Sequence, residues 1–277
     1  MTDDRTPVLR RPLGRLDRLG LLLAAPLLLT ACGGGDGDEP EQVSADTVET
    51  PEVGLCRVLG PSDVAEPSNS TAPVDCAERH TAETFAVGPL PDRFTDAAYD
   101  SPDLGAFAYK TCGRAFGRFV GGDESRVMRS TVSWAWFRPS EDAWEQGARW
   151  YRCDAVGGGV TGEAYVDLPE TAEGLLAGVP QDRWTVCADG PTVSEGEKVA
   201  CTEPHTWRAV STVPVGEDDD PWPGDRVVEV TSRDACSSQV GALLGYPLDY
   251  EFGWTAFGEG QWEAGNRRSI CWARTDS

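Results

Sequence analysis

The octapeptide VDCAERHT at residues 74–81 decides the fold, because the chain repeats it as VACTEPHT at residues 199–206. Five of the eight positions are identical, and in both copies a histidine follows a cysteine by four residues. Similarity that returns along a chain with its spacing preserved indicates an internal repeat. We therefore predict two copies of one structural module.

A second motif extends the repeat. Residues 144–153 and residues 262–271 share the pattern WxxGxRxxxC. Two modules of roughly 100 residues each suit the length of the chain, because domains of that size are common. We place the first module at residues 53–156 and the second at residues 181–277, with a linker at residues 157–180.

The chain has nine cysteines, and apart from Cys32 they fall into two sets of four. An even number of cysteines in an exported chain indicates disulfides. Four cysteines allow three pairings in each module, and the sequence leaves these open. A hairpin centred near Ser194 would place Cys187 opposite Cys201, so we favour pairing first with second and third with fourth. The eight are Cys56, Cys76, Cys112, Cys153, Cys187, Cys201, Cys236 and Cys271.

Both modules show the same order of helix-like and strand-like segments. Ser101 followed by Pro102 is typical of a helix start, and in the second module a helix would bury Cys236, Val240 and Leu243 on one face. After each helix, large apolar residues alternate with other residues, as in a strand with one buried face. We predict an α+β fold: two tandem disulfide-stapled modules, each a small, mainly antiparallel sheet with a covering helix. The alternating residues are Val132, Trp134 and Trp136, then Tyr250, Phe252 and Trp254.

The first 31 residues are typical of a signal peptide. Five arginines precede a 13-residue apolar run at residues 19–31, which is too short to cross a bilayer as a helix. The run ends in LTAC at residues 29–32, which resembles the lipobox of bacterial lipoproteins. We expect acylation of Cys32 to anchor the chain at the extracytoplasmic face of the cell membrane. The alternative is an ordinary cleaved signal peptide with a chance cysteine.

Residues 32–52 are predicted to form an acidic, flexible tether, because they hold seven acids, no base and little apolar surface. The whole chain has a net charge of −22. Such a charge argues against a nucleic-acid partner, since binding to phosphates depends on Lys and Arg. We expect the membrane, through acylated Cys32, and a cell-envelope protein or cell-wall material as partners.

The pattern Val-x-Cys-x-x-Pro-His, followed by Trp-x-x-Gly-x-Arg and a final cysteine, resembles the septum-formation domain family. Members are typically extracytoplasmic lipoproteins or membrane-tethered proteins of high-GC Gram-positive bacteria, and the family name implies a link to cell division. The resemblance spans most of residues 53–277, in two copies. The family commonly has proline before the histidine and glutamate three residues after it. Pro204 and Glu83 keep these features, whereas Arg79 and Arg208 depart from them.

The repeat singles out two histidines as candidate binding residues. His80 and His205 are the only histidines, and Glu78 or Glu203 could join them in a metal or ligand site. One histidine per module is few for a zinc site, so we favour a structural role in which the ring holds a turn beside the disulfide. We expect no metal and no cofactor.

Two arginines of the repeat are further candidates. Arg149 and Arg267 follow Trp144 and Trp262 by five residues, so each guanidinium could lie on an indole ring or could bind a carboxylate of a cell-wall peptide. We favour the structural contact. A sugar-binding face could be formed by Trp134, Trp136 and Trp254, although we favour a role in core packing. The acidic run at residues 217–220 fits a solvated loop better than a calcium site.

The sequence contains no GxSxG, HExxH or phosphate-loop motif. We therefore expect a non-catalytic binding or adaptor module of the cell envelope. Two alternatives stay open at this point: an envelope hydrolase that uses Asp or Glu carboxylates, and a metal-responsive sensor that uses the two histidines.

Overall fold

The computed structural model describes residues 49–158, 164–217 and 219–275. The described residues belong to one compact unit, so both modules form a single body. The proposed signal peptide, Cys32 and tether residues 32–48 lie outside the described residues. No helix among the described residues is both long enough and apolar enough to cross a membrane.

The first module is a four-stranded antiparallel sheet in the order β1-β2-β4-β3. One long helix, α2, covers one face, and three short helices fill the connections. The strands are β1 (Cys56–Arg57), β2 (Ala82–Pro89), β3 (Ser133–Phe137) and β4 (Trp150–Val156). The helices are α1 (Pro61–Ala65), α2 (Pro102–Val120), α3 (Glu124–Met128) and α4 (Glu141–Glu145).

The second module repeats this arrangement with one extra strand, in the order β6-β5-β7-β9-β8. Strand β6 occupies the place that Val74, a single residue bridged to Cys56, holds in the first module. The α+β class and the antiparallel sheets are thus as predicted. The strands are β5 (Val186–Asp189), β6 (Glu197–Ala200), β7 (Trp207–Pro214), β8 (Phe252–Thr255) and β9 (Arg268–Arg274), and the helices are α5 (Asp225–Leu243) and α6 (Glu259–Glu263).

The covering helices bury a stripe of residues spaced by four. Helix α2 starts after Ser101 with proline at its first turn, as the sequence indicated. In α5 the predicted inward position of Leu243 is wrong, because this side chain is 62% exposed. Its counterpart Phe119 stacks on Phe85, whereas the shorter Val210 stands at the matching position of the second sheet. The buried stripes are Leu104, Ala108, Cys112, Phe116 and Val120 in α2, and Val228, Ser232, Cys236 and Val240 in α5.

Both faces of the first sheet are covered, rather than one. Trp134 and Trp136 of β3 are half-buried and pack toward the α2 side. The alternating residues Ala135 and Phe137 are buried on the opposite face, against a second cluster that includes Leu59. The alternation of large residues therefore marked one buried face and left the second unrecognised.

Four disulfides connect the elements in the pairing that the sequence favoured. In each module the second bridge joins the covering helix to an inner strand of the sheet, β4 or β9, so it fastens the two layers together. All four cysteines of these inner bridges are fully buried. The bridges are Cys56–Cys76, Cys112–Cys153, Cys187–Cys201 and Cys236–Cys271.

Backbone hydrogen bonds join the two modules. Ser130 bridges Thr185 as an isolated antiparallel pair, and the amide of Thr131 donates to the carbonyl of Trp184 at 3.1 Å. The segment between the modules also packs inward, since its Leu168, Ala172 and Leu176 are buried in the core of the first module. The modules are therefore held in one arrangement.

Candidate functional site

The repeated histidines hold turns. Nδ1 of His80 lies 2.8 Å from the backbone carbonyl of Glu78, and Nδ1 of His205 lies 2.7 Å from that of Glu203. A carbonyl oxygen only accepts hydrogen bonds, so each Nδ1 carries the proton and donates it. Both imidazoles are buried, whereas the side chains of Glu78 and Glu203 are exposed. The glutamates thus take part through their backbone and not through their carboxylates.

One group of possible metal ligands occurs among the described residues, formed by Cys187, Cys201 and His205. The two cysteines are bonded to each other, and a metal would require them as thiolates. His205 therefore lies beside the Cys187–Cys201 disulfide.

The WxxGxR motif forms a lock between an arginine and a tryptophan in both modules. The guanidinium carbon lies 3.9 Å from the ring centroid for Arg149 and Trp144, and 3.6 Å for Arg267 and Trp262. Nη1 of Arg149 donates to the carbonyls of Trp144 and Ala148, both at 2.8 Å. Arg267 makes the matching backbone contacts, so both guanidinium groups serve the fold.

The arginines that depart from the family pattern form ion pairs with the segment between the modules and with the start of the second module. Nε of Arg79 donates to both carboxylate oxygens of Asp167, at 2.8 and 2.9 Å. Arg208 forms an ion pair with Asp182. Asp167 belongs to the segment between the modules, whereas Asp182 lies at the start of the second module.

The other sequence candidates are not brought together. Of the three tryptophans proposed for a sugar-binding face, Trp134 lines a cleft, whereas Trp254 donates its indole N–H to Glu229 at 3.0 Å. In the acidic run, the amide of Glu217 donates to the carboxylate of Asp220 at 2.8 Å, as in an ordinary turn. Asp218 of this run lies outside the described residues.

The most developed recess in the described structure is a cleft of about 980 Å³ between the two modules. One wall is the exposed side of α2 with the start of β3. The other wall is the face of the second sheet that α5 does not cover, together with the turn before β9. At one end the ring of Tyr109 lies against Gly265, where an added Cβ would come within 3.0 Å of the ring. Gly265 also has a φ of +107°, a backbone conformation that favours glycine.

The cleft is cationic, although the chain as a whole is strongly acidic. Five Lys or Arg residues line it against two glutamates. This surplus of cations attracts an anionic ligand. Glu124, one of the two acids, is already committed to Arg268 of the other module at 2.6 Å. The cations are Lys110, Arg114, Arg118, Lys198 and Arg267.

Three of these cations form a row on α2. Lys110, Arg114 and Arg118 are exposed and follow one another at intervals of four residues, so they share one side of the helix. None of the three forms an ion pair with any described residue. The row is therefore available to a ligand, in contrast to Arg267, which is held by backbone carbonyls.

The opposite wall combines a cation with an aromatic ring. Nζ of Lys198 lies 4.7 Å from the ring centroid of Trp272 and donates to the carbonyl of Val193 at 2.6 Å. Burial lowers the pKa of Lys198. Near the end of the cleft, burial raises the pKa of the Tyr109 phenol, Glu124 adds to this rise, and Arg267 opposes it. Together the walls can recognise a ligand that carries both anionic and apolar groups.

The sequence carries one signal for this site, namely the spacing of the cations on α2. A row of cations at helical spacing is unusual in a chain with a net charge of −22. The matching positions of α5, counted from the paired cysteines of the two helices, carry Asp234, Ser238 and Ala242. The row is thus a property of the first module alone and is not inherited from the repeat.

These features define a two-module, disulfide-stapled α+β protein with a cationic cleft at the junction. Comparison with family models then identifies the chain: it belongs to the septum formation family, whose model matches residues 40–138 and again residues 128–271. Membership supports, at a coarse level, a role in septum formation or cell division. The comparison with curated proteins gave no match, and the comparison with solved structures gave none either.

Proposed function

We propose that this protein is an extracytoplasmic lipoprotein, anchored to the cell membrane through acylated Cys32, that acts as a non-catalytic binding or adaptor module in septum formation. The observation that carries the binding role is the cleft between the modules. Its volume of about 980 Å³ is at the upper end of the range for ligand pockets. Its lining of cations and aromatic rings consists of groups that recognise ligands.

The rigid junction of the modules supports this proposal. The cleft keeps its shape only if both walls are fixed, and the bridge between Ser130 and Thr185 fixes them at one end. The ion pair between Glu124 and Arg268 ties the same two walls by their side chains. A preorganised cleft binds with less loss of conformational entropy than one that must be assembled by its ligand.

Anchoring through Cys32 is motivated by the LTAC sequence and by the acidic residues 33–52 that follow it. Metabolic labelling with an alkyne fatty acid tests this step directly. The wild-type protein should incorporate the label and sediment with membranes. The Cys32→Ala variant should lose both properties, and a labelled Cys32→Ala protein would contradict the assignment.

The binding role is tested by photocrosslinking in growing cells. A photoreactive amino acid is placed at Ser133, an exposed position on the wall of the cleft outside the cation row, and a matched probe is placed at Arg226, on the exposed surface of α5 and outside the cleft. We expect proteins of septum or cell-wall synthesis to be captured from position 133 and not from position 226, and only with Cys32 present. Equal capture at both positions would contradict a binding role for the cleft.

A further inference from the structure

The cation row on α2 has a regular repeat along the cleft. Residues four apart in a helix are separated by about 6 Å along its axis, so Lys110, Arg114 and Arg118 span about 12 Å. In an extended peptide, alternate side chains project to the same side at intervals of about 6.6–6.8 Å. Carboxylates at every second position of such a peptide would therefore meet successive cations of the row.

The charge of the row runs against that of the rest of the molecule. A protein with a net charge of −22 repels acidic partners at long range unless a local surface reverses the sign. The matching helix α5 has the same length of 19 residues and carries no basic residue at the corresponding positions. Neither the helix nor the repeat thus requires these three cations.

The remaining lining suits a peptide better than a bare inorganic anion. Trp134 lines one wall of the cleft, and Trp272 and Ile270 line the other. Both walls therefore offer apolar surface as well as cations. Aromatic side chains provide large, rigid contact surfaces at protein interfaces. An extended peptide can present carboxylates on one side, toward the α2 row, and other side chains on the opposite side, toward Trp272 and Ile270.

We propose that the inter-module cleft binds an extended acidic segment of a partner protein, with its alternate carboxylates on Lys110, Arg114 and Arg118. This inference rests on the proposed function as a binding module and specifies the chemistry of the ligand. Binding depends on charge contacts that are exposed to solvent, so it weakens as salt screens them.

The test exchanges the row for the residues that the second module carries at the same helix positions. The variant Lys110→Asp/Arg114→Ser/Arg118→Ala lowers the net charge by four. The control Arg226→Glu/Arg233→Glu also lowers it by four, on the exposed surface of α5 outside the cleft. The parent and both variants are made from residue 32 onward with Cys32→Ala, so that any competition from the acidic residues 33–52 is the same in all three.

The probe is a fluorescein-labelled peptide of eight glutamates, and its glutamine counterpart is the uncharged reference. Binding is followed by fluorescence anisotropy at low salt. We expect the row variant to bind the glutamate peptide about tenfold more weakly than the parent, as three exposed charge contacts together would give. The α5 control should stay within about twofold of the parent, because net charge alone has a small, screened effect at that distance. Circular dichroism melts of all three proteins check that the fold is kept.

Two results would overturn the acidic-peptide assignment. One is equal binding of the glutamate peptide by the parent and the row variant. The other is row-dependent binding of polyphosphate with none of the glutamate peptide, which would identify a phosphate polymer as the ligand. If either occurs while position 133 still captures septal proteins in cells, the proposed function stands and this inference alone fails. Peptide binding in solution without any capture in cells contradicts the proposed function instead.

Discussion

The guanidinium carbon of Arg267 lies 3.6 Å above the ring of Trp262, and the same pair recurs in the first module as Arg149 over Trp144. In both copies the intervening glycine has a positive φ, which turns the chain so that the arginine can fold back over the ring. The WxxGxR motif, which carries much of the family resemblance, therefore encodes a structural lock. The cleft borders this motif at Gly265 and Arg267, but the three cations of its α2 row lie outside it.

Arg149→Lys should destabilise the first module by about 1–2 kcal/mol, because an ammonium cannot replace a planar fork that reaches several carbonyls at once. Arg149 donates through Nε toward the carbonyls of Phe94 and Thr95 and through Nη1 to two others. The free energy of unfolding in urea measures the change. Arg93→Lys is the matched control, since Arg93 lies 4.5 Å over the ring of Phe94 and makes no hydrogen bond to a described residue. Equal losses in the two variants would refute the lock.

His80→Phe should cost about 1–3 kcal/mol of stability, because it leaves the carbonyl of Glu78 without the donor that it has at 2.8 Å. Glu78→Gln should change stability by less than about 0.5 kcal/mol, since that side chain is exposed and only its backbone takes part. Both are measured by urea denaturation. Elemental analysis of protein purified without a tag should find no stoichiometric metal. A metal that is lost in His80→Phe would restore the sensor hypothesis.

Local signals in the sequence were enough to predict the modules. The helix start at Ser101 and the hairpin between Cys187 and Cys201 each depend on residues close together in the chain, and the structure agrees with both. The predicted inward placement of Leu243 was wrong because burial at this position depends on the sheet residue that it would pack against. That residue is Val210 here, which is smaller than Phe85 in the first module. Periodicity records which residues repeat and does not record what they pack against.

The cleft could not be predicted in the same way. Its walls come from α2 and from the second sheet, whose lining residues Tyr109 and Trp272 are far apart in the chain. The spacing of Lys110, Arg114 and Arg118 was visible, but a cationic row on an exposed helix is ordinarily a solvated face. It becomes a candidate site only when the second module is placed opposite, and that placement depends on long-range contacts such as Glu124 with Arg268.

Removing the two bridges of different loop length should have unequal effects. The Cys112–Cys153 bridge closes a separation of 41 residues, and the Cys187–Cys201 bridge closes one of 14. In the chain-entropy description these loops give about 4 and about 3 kcal/mol of stabilisation. The double Cys→Ala variant of the first pair should therefore lose more stability, with an added loss because it also releases α2 from β4. Calorimetric melts of the two variants measure the order, and a larger loss for the short loop would contradict it.

A buried charged network lies on β4 and the neighbouring strands. The carboxylate of Asp154 accepts from the hydroxyl of Thr84 at 2.7 Å and lies 3.1 Å from Nη2 of Arg152, a contact that is electrostatic because its angles are not those of a hydrogen bond. Arg57 donates to the same hydroxyl at 2.8 Å. Two guanidinium groups thus share one carboxylate in the interior, and all three residues are at most 2% exposed.

Asp154→Asn should destabilise the protein by about 3–5 kcal/mol, because it leaves Arg57 and Arg152 as uncompensated buried charges. Burial and the charge of Arg152 already lower the pKa of Arg57 to about 10, against the opposing pull of Asp154. Loss of Asp154 removes that opposing effect and lowers the pKa of Arg57 further, so the deficit should be full below this pKa and shrink as the pH rises through it. Asp182→Asn, which breaks the exposed pair with Arg208, should cost less than about 1 kcal/mol. Denaturation of both variants at several neutral pH values gives the comparison, and similar losses would show that the buried carboxylate is not needed to offset the two arginines.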